Sequence, residues 1–193
     1  MKEKMQVKDY ITIGVILAIY YIGFNIIAGA LVAMSSKFLF IGQGVTSLVL
    51  APLYMLFVAK VRKKWAILIF GTVIVTITWI AMGGAWPTVF GYFGVILAEI
   101  VSQSGNYKSF MKNNIGYIFF SFWSIGLVLV YYFMGDKPLR AAGLTAEQIN
   151  DWMANITPTN LIIVVIITAV CAFIGGFIGK AMLKKHFERA GIA

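Results

Sequence analysis

The sequence predicts an all-α membrane protein, a compact bundle of six transmembrane helices that residues 1–193 form as a single integral membrane domain. Three observations lead to this prediction. Hydrophobic residues make up 61% of the chain and charged residues only 12%, whereas soluble domains carry about 25% charged residues. Long apolar runs alternate with short charged segments, and the run over residues 65–98 contains no Asp, Glu, Lys, Arg or His.

The uncharged run at 65–98 has to cross the membrane twice. As one helix its 34 residues would rise about 50 Å at about 1.5 Å per residue, and the hydrocarbon core of a bilayer is only about 30 Å thick. The segment from Met82 to Pro87 (MGGAWP) supplies the break, because glycine frees the backbone and proline ends helical hydrogen bonding. We therefore expect spans at 65–81 and 87–103, joined by a tight turn.

Four further apolar runs predict the remaining spans. Asp9 is expected to N-cap the first helix, and Gly42 and Gly44 are expected to weaken the second. These spans are predicted at residues 10–34, 39–59, 113–134 and 160–183.

The long connection at 135–159 contains its own helical signal. Residues 145–148 (TAEQ) match a capping box, and Ile149, Trp152 and Met153 recur at helical spacing. We expect a short amphipathic helix in this outer loop between helices 5 and 6. Two interpretations stay open, a helix that rests on lipid headgroups through Trp152 and a helix that covers a site.

The positive charges predict the orientation of the bundle. Thirteen of the 16 Lys and Arg residues lie in the two termini and in the connections on the same side, and the other three are Lys37, Lys137 and Arg140. The positive-inside rule then places the N and C termini in the cytoplasm. The net charge of +9 is accounted for by this topology, and nucleic acid is not expected as a partner because no basic face interleaved with aromatic residues is visible.

Catalytic chemistry is not predicted. The single histidine, His186, lies in the basic C-terminal tail, and Glu99 is the one acidic residue inside a predicted span. One carboxyl group cannot supply the acid–base pair that hydrolysis usually requires. Since an ionisable group in a membrane is costly, we expect Glu99 to have a structural partner or to contact another subunit rather than to couple to protons. No catalytic residue, metal ion or cofactor is expected.

Small residues recur at helical spacing in the first and last spans. Gly14 and Ala18 form one pair, and Gly175 and Gly179 form the other. Such pairs let helix backbones approach closely in lipid. We expect the pair in the last span to pack within the chain, while the pair in the first span lies where a partner helix can dock.

Aromatic and polar residues gather near the predicted outer face. Taken singly, Trp and Tyr at this depth are typical of the aromatic belt, but together with polar anchors they predict a small-molecule pocket. The cations among them suit a carboxylate or phosphate on a ligand. The candidate substrate-binding residues are Lys37, Gln43, Trp79, Trp86, Tyr131, Tyr132, Lys137, Arg140, Trp152, Asn155 and Asn160.

Several motifs stand out, namely Trp86-Pro87, residues 104–109 (SGNYKS), 143–147 (GLTAE), 156–158 (ITP), 173–179 (FIGGFIG) and 183–192 (LKKHFERAGI). With these motifs the chain resembles the Trep_Strep family of bacterial integral membrane proteins. The resemblance covers nearly the whole chain, from about Lys8 to the C terminus.

That family looks like the substrate-binding S components of energy-coupling factor (ECF) transporters, ABC-type importers of micronutrients. The resemblance implies six helices with both termini inside, a ligand bound near the outer face, and association with a transmembrane T scaffold subunit and two cytoplasmic ATPases in the bacterial cell membrane. It also implies that an Ala-xxx-Ala pattern in the first helix contacts the T subunit. Here Gly14 and Ala18 take that place, and the glycine departs from the pattern.

Two alternative functions stay open. One is a self-sufficient carrier that works as a homo-oligomer, and the other is a membrane enzyme acting on lipid, which the missing catalytic groups disfavour. The aromatic, cation-rimmed face suits a flat anionic molecule such as a vitamin or a tetrapyrrole. Haem is one candidate, whose iron would take Tyr, Met or Cys, or no axial ligand.

Overall fold

The chain folds almost entirely into helices. The computed structural model describes residues 4–189, with side chains to residue 185. This part contains no strand and has the following elements: α1 (Val7–Met34), α2 (Phe38–Lys60), α3 (Ala66–Ala81), a 3-10 helix (Trp86–Phe90), α4 (Gly91–Ser104), α5 (Phe110–Ser121), a 3-10 turn (Phe122–Ser124), α6 (Ile125–Met134), α7 (Lys137–Ala141), α8 (Ala146–Ala154) and α9 (Pro158–Arg189).

Four helical segments in the described part are long and apolar enough to cross a bilayer. They are α1, α2, the continuous segment Phe110–Met134 formed by α5 and α6, and Pro158–Lys185 of α9. The apolar helix α3 has 16 residues, about 24 Å at about 1.5 Å per residue. The all-helical class is therefore confirmed with four candidate spans, and the count of six crossings stays a prediction.

The turn between α3 and α4 forms where the glycines and the proline predict it. Gly83 and Gly84 adopt φ values of +63° and +77°, a left-handed conformation that a residue with a Cβ rarely tolerates. The Gly84 N–H donates to the Trp79 carbonyl at 2.9 Å. Pro87 then lies in the first turn of the 3-10 helix, where its missing N–H costs nothing.

Aromatic rings fill the centre of the bundle. Tyr20 of α1 meets Phe70 of α3 and Phe120 of α5 edge to face, with ring centroids 5.6 and 5.7 Å apart. Phe57 of α2 stacks on Phe70 at 4.4 Å. These rings are buried, and such edge and offset contacts each contribute about 0.5–1.5 kcal/mol. Side chains of four helices thus fix the relative positions of α1, α2, α3 and α5.

Helices α2 and α9 run parallel and pack closely through glycine. A Cβ at Gly44 would lie 2.5 Å from the Ile167 side chain, and one at Gly175 would lie 2.9 Å from the Leu48 carbonyl oxygen. Pro52 leaves that Leu48 carbonyl without its helical donor, so the glycine approaches a backbone group that α2 does not use. The expectation that the last span packs within the chain is confirmed, and Gly179 contacts Pro52 and Met55 in the same way.

One local expectation is wrong, because Asp9 is not the N-cap of α1. The cap is Gln6, and the Asp9 carboxylate accepts the Gln6 N–H at 2.8 Å from the third helical position and pairs with Lys63 at 3.3 Å. Helix α2 is continuous over Phe38–Lys60 through Gly42 and Gly44, and Gly44 packs against Ile167 of α9.

The loop helix is present, and its capping box is formed. The Thr145 hydroxyl accepts the Gln148 N–H, while the Gln148 side chain accepts the Thr145 N–H at 2.9 Å. The sequence did not predict α7 or the 3-10 turn at Phe122–Ser124. The helix expected over 113–134 begins earlier, at Phe110, because the Ser109 hydroxyl caps its N terminus.

Candidate functional site

Helix α8 is held across one end of the bundle by a polar contact with the connection between α1 and α2. The buried Ser36 hydroxyl donates to the Asp151 carboxylate. The Asn155 amide donates to the Asp151 carbonyl at 2.7 Å and more weakly to Ser36 Oγ at 3.4 Å. We name Ser36, Asp151 and Asn155 the α8 contact, and the end of the bundle that carries it the α8 end.

An apolar cluster lies beneath α8. The ring of Trp152 meets the ring of Tyr131 edge to face, with centroids 5.3 Å apart. Both pack on a buried cluster that includes Phe40, Val128 and Val164. The Trp152 ring is therefore only partly exposed, because it also packs against the interior of the bundle.

Side-chain hydrogen bonds order the short connection between α8 and α9. The Asn160 side chain donates to the Asn155 carbonyl at 2.8 Å, and the Asn160 N–H donates to the Thr157 hydroxyl at 3.2 Å. Pro158 starts α9 and cannot donate a backbone hydrogen bond. These side-chain bonds therefore fix the orientation of α8 relative to the start of α9. Asn155 and Asn160, both candidate residues from the sequence, thus meet at one place.

One turn further into the bundle, α2 carries a buried amide with an unused acceptor. Gln43 is 2% exposed, and its Nε2 donates to the Leu39 carbonyl at 3.2 Å. Its Oε1 has no hydrogen-bond partner among the described residues, and neither has the buried Thr168 hydroxyl on α9. Leaving such a group unpaired costs about 1–3 kcal/mol, so Gln43 Oε1 is suited to accept a hydrogen bond from a bound molecule.

The three cations predicted for the pocket lie on the surface of the bundle. Lys37 and Lys137 are exposed. Arg140 is also exposed and pairs with Asp136 through Nε and Nη2, each 2.7 Å from the carboxylate. That pair lies within α7 and its N-cap, and an exposed ion pair of this kind contributes little stability. The structure does not bring these three cations together with Gln43.

The remaining aromatic candidates face outward. Trp79, Trp86 and Tyr132 are all exposed. Trp86 lies against Phe133, with ring centroids 5.1 Å apart, and Tyr132 meets Phe133 at 5.2 Å. Such an outward aromatic surface is typical of the belt at a membrane interface. Of the sequence candidates, Gln43, Tyr131, Trp152, Asn155 and Asn160 belong to the α8 end, and the other six are exposed.

Sequence reasoning missed two members of the α8 contact, Ser36 and Asp151. They lie 115 positions apart in the chain, so no local motif connects them. The one available signal was the spacing of Asp151 and Asn155, which places both on the same face of α8.

Glu99 has its partners at the opposite end of the bundle. This side chain is 2% exposed, and its carboxyl accepts the Trp65 N–H at 2.8 Å, the Leu68 N–H at 3.2 Å and the Tyr107 hydroxyl. Trp65 and Leu68 lie at the N terminus of α3, where helical N–H groups lack partners. The expectation of a structural partner is confirmed. The pKa of Tyr107 is raised above its usual range, mainly by burial and to a smaller extent by the adjacent Glu99 carboxyl.

The small residues of α1 lie on an open face. Gly14 and Ala18 are both exposed, and a Cβ at Gly14 would meet no described atom outside its own turn within 4 Å. Only 22% of the most apolar window of α1 is buried inside the bundle, against 61% for α2. This face of α1 is therefore available to lipid or to another helix.

The fold and its apolar helices define the chain as a helical integral membrane protein. It belongs to a family of hypothetical bacterial integral membrane proteins (Trep_Strep), whose family model matches residues 7–189. A search of curated proteins and a search of solved structures each give no match.

Proposed function

We propose that this protein is the substrate-binding S component of an ECF-type ABC importer. The single observation that carries the proposal is the position of α8, which hydrogen-bonds to the connection between α1 and α2 over an apolar cluster that includes Leu39. The unpaired Oε1 of the buried Gln43 lies one turn along α2 from that cluster. In this arrangement a short helix can exclude water from a bound molecule, and a polar group beneath it can fix that molecule's orientation. The proposal places the protein in the bacterial cytoplasmic membrane, with six spans, both termini inside and α8 outside.

Binding follows from movement of α8. Breaking the α8 contact frees the helix to swing about the segment at 155–158, and a ligand then enters between Trp152 and the interior. The aromatic rings of Trp152 and Tyr131 favour a flat molecule, and Gln43 Oε1 favours one that carries an N–H or O–H group. A vitamin fits this description, and so does a tetrapyrrole such as haem. Lys37 and Arg140 then meet an acidic group that extends from the mouth.

Energy for uptake comes from other subunits in this proposal. The open face of α1 at Gly14 and Ala18 docks against a transmembrane T scaffold, because small residues let two helix backbones come close in lipid. Two cytoplasmic ATPases drive the T subunit, which releases the ligand inward. The chain itself is a binding component and not an enzyme.

Gln43→Leu tests the binding site. Leucine removes the unpaired amide, so the empty protein gains stability or keeps it, while a ligand held by Oε1 is lost. Wild-type and variant protein are purified from bacterial membranes, and small molecules bound to each are identified by mass spectrometry. We expect one molecule to co-purify with the wild type and with the exposed control Trp86→Phe, and to be depleted at least about tenfold from Gln43→Leu, the equivalent of about 1.4 kcal/mol. Equal recovery from all three proteins contradicts this site.

A second experiment tests the assignment to an importer. The purified chain is reconstituted in liposomes and supplied with the co-purified molecule, with and without the T subunit and ATPases that a pull-down recovers. Uptake that requires those subunits and ATP supports the proposal. Uptake by the chain alone contradicts it and favours the self-sufficient carrier, whose homo-oligomer would use the same open face of α1.

A further inference from the structure

An open apolar groove of about 580 Å³ runs between α2 and α9 on the outer surface of the bundle, away from the α8 end. Its lining includes Val49, Leu53 and Leu56 of α2 and Ile178 and Met182 of α9. Val49, Ile178 and Met182 are exposed. The groove is separate from the candidate site, because its lining residues lie on the outer surface of the bundle.

The length of the groove matches one leaflet of a bilayer. Along α2 its lining extends from Leu48 to Leu56, about 12 Å at about 1.5 Å per residue. Half of a hydrocarbon core is about 15 Å. The groove therefore has the dimension of an acyl chain that lies along the protein in a single leaflet.

Two cations continue the groove beyond its apolar part. Lys60 comes four residues after Leu56, and Lys185 comes three after Met182, so each extends the lining face of its helix by one turn. Both are exposed, and within the part of the chain described with side chains neither forms an ion pair. Lysine side chains at such positions extend toward the headgroup region while their stems stay on apolar surface.

We propose that this groove binds an anionic phospholipid, with an acyl chain between α2 and α9 and the phosphate headgroup held by Lys60 and Lys185. The apolar lining selects a lipid chain over a soluble phosphate. The two ammonium groups favour a headgroup with net negative charge, since each basic residue near an anionic headgroup adds to the attraction. This inference does not rest on the proposed transport function.

Native mass spectrometry of the detergent-purified chain tests the proposal. The protein is titrated with phosphatidylglycerol and with phosphatidylcholine that carries the same acyl chains. We expect phosphatidylglycerol to be retained about 10- to 30-fold more strongly. The preference should fall to near parity in Lys60→Gln/Lys185→Gln, and it should persist in Lys37→Gln/Lys137→Gln, which removes the same charge at the α8 end. Equal retention of the two lipids by the wild type overturns the proposal, and so does an unchanged preference in the first variant.

A second variant distinguishes the contribution of the acyl chain to lipid binding from that of the headgroup. Leu53→Trp fills the groove and keeps both lysines, so retention of phosphatidylglycerol should fall although the charge is unchanged. Glycerol 3-phosphate, which has the anionic group but no acyl chain, should not compete. Competition by it would indicate a soluble phosphate ligand and overturn the proposal. A co-purifying membrane protein that Leu53→Trp displaces while lipid retention stays constant would overturn it as well.

Discussion

The Glu99 carboxyl of α4 accepts the backbone N–H of Trp65 at 2.8 Å, and this bond closes the α3–α4 hairpin at the end opposite its turn. Trp65 has a left-handed φ of +74° and offers no side-chain cap to α3. The carboxyl from the neighbouring helix satisfies donors that the local sequence leaves open, and a negative group is favoured at a helix N terminus. The hairpin is thus fixed by glycines at one end and by Glu99 at the other.

Replacing Glu99 should destabilise this hairpin. In Glu99→Gln the negative charge is lost and one amide N–H₂ opposes the backbone donors, at a cost of about 1–3 kcal/mol. For a chain of this size we expect the Tm in detergent to fall by about 2–12 °C. Glu147→Gln makes the same chemical change at an exposed site in the first turn of α8 and should have a smaller effect. Equal Tm values for the two variants would show that Glu99 does not cap α3.

The α8 contact should control how often α8 opens. Ser36→Ala and Asp151→Ala each remove one partner of the bond between these two residues, so hydrogen exchange in 146–154 should become faster in both. In a double-mutant cycle the pair should show a coupling energy of about 0.5–3 kcal/mol. Asp136→Ala is the matched control, because it breaks an exposed ion pair on α7. Additive effects of the two mutations on exchange would mean that the contact does not hold α8.

The features that the sequence predicted correctly have local causes. The turn at Gly83 and Gly84 and the capping box at Thr145 and Gln148 each depend on residues within four positions of one another. The internal packing of the last span follows from the spacing of Gly175 and Gly179 within one helix. In each case the side-chain chemistry that forms the structure is contained in the motif.

The features that could not be predicted depend on distant residues. Ser36 reaches Asp151 across 115 positions, and Glu99 reaches Trp65 across 34. Gly44 was expected to weaken α2, but its role depends on Ile167 of α9. Composition therefore predicted the helices and the aromatic surroundings of the α8 end, while its polar contacts required the tertiary structure.

Adding a methyl group should lower the stability of the protein at Gly175 but not at Gly14. In a helix interior Gly→Ala is favourable by about 0.5–1 kcal/mol when space is free. A Cβ at Gly175 would lie 2.7 Å from the Ala51 Cβ and 2.9 Å from a backbone oxygen, and such overpacking costs about 1–3 kcal/mol. Thermal unfolding in detergent should show a lower Tm for Gly175→Ala and an equal or higher Tm for Gly14→Ala. A stabilised Gly175→Ala would contradict the close packing of α2 and α9.

Bulky residues on the open face of α1 should separate ligand binding from uptake. Gly14→Leu/Ala18→Leu adds side chains that face away from the bundle, so the fold and ligand retention should be unaffected. Docking of a T subunit requires close approach of two helix backbones, so energised uptake should fall at least about tenfold, the equivalent of about 1.4 kcal/mol.

The control for this variant lies on the same helix. A Cβ at Gly29 would also meet no described atom outside its own turn within 4 Å, but Gly29 is about 22 Å from Gly14 along α1 at about 1.5 Å per residue. Gly29→Leu should therefore keep both ligand retention and uptake. If uptake by cells that carry Gly14→Leu/Ala18→Leu equals that of the wild type, the docking face lies elsewhere. If ligand retention is lost together with uptake, ligand binding and T-subunit docking use the same surface, which contradicts the proposal.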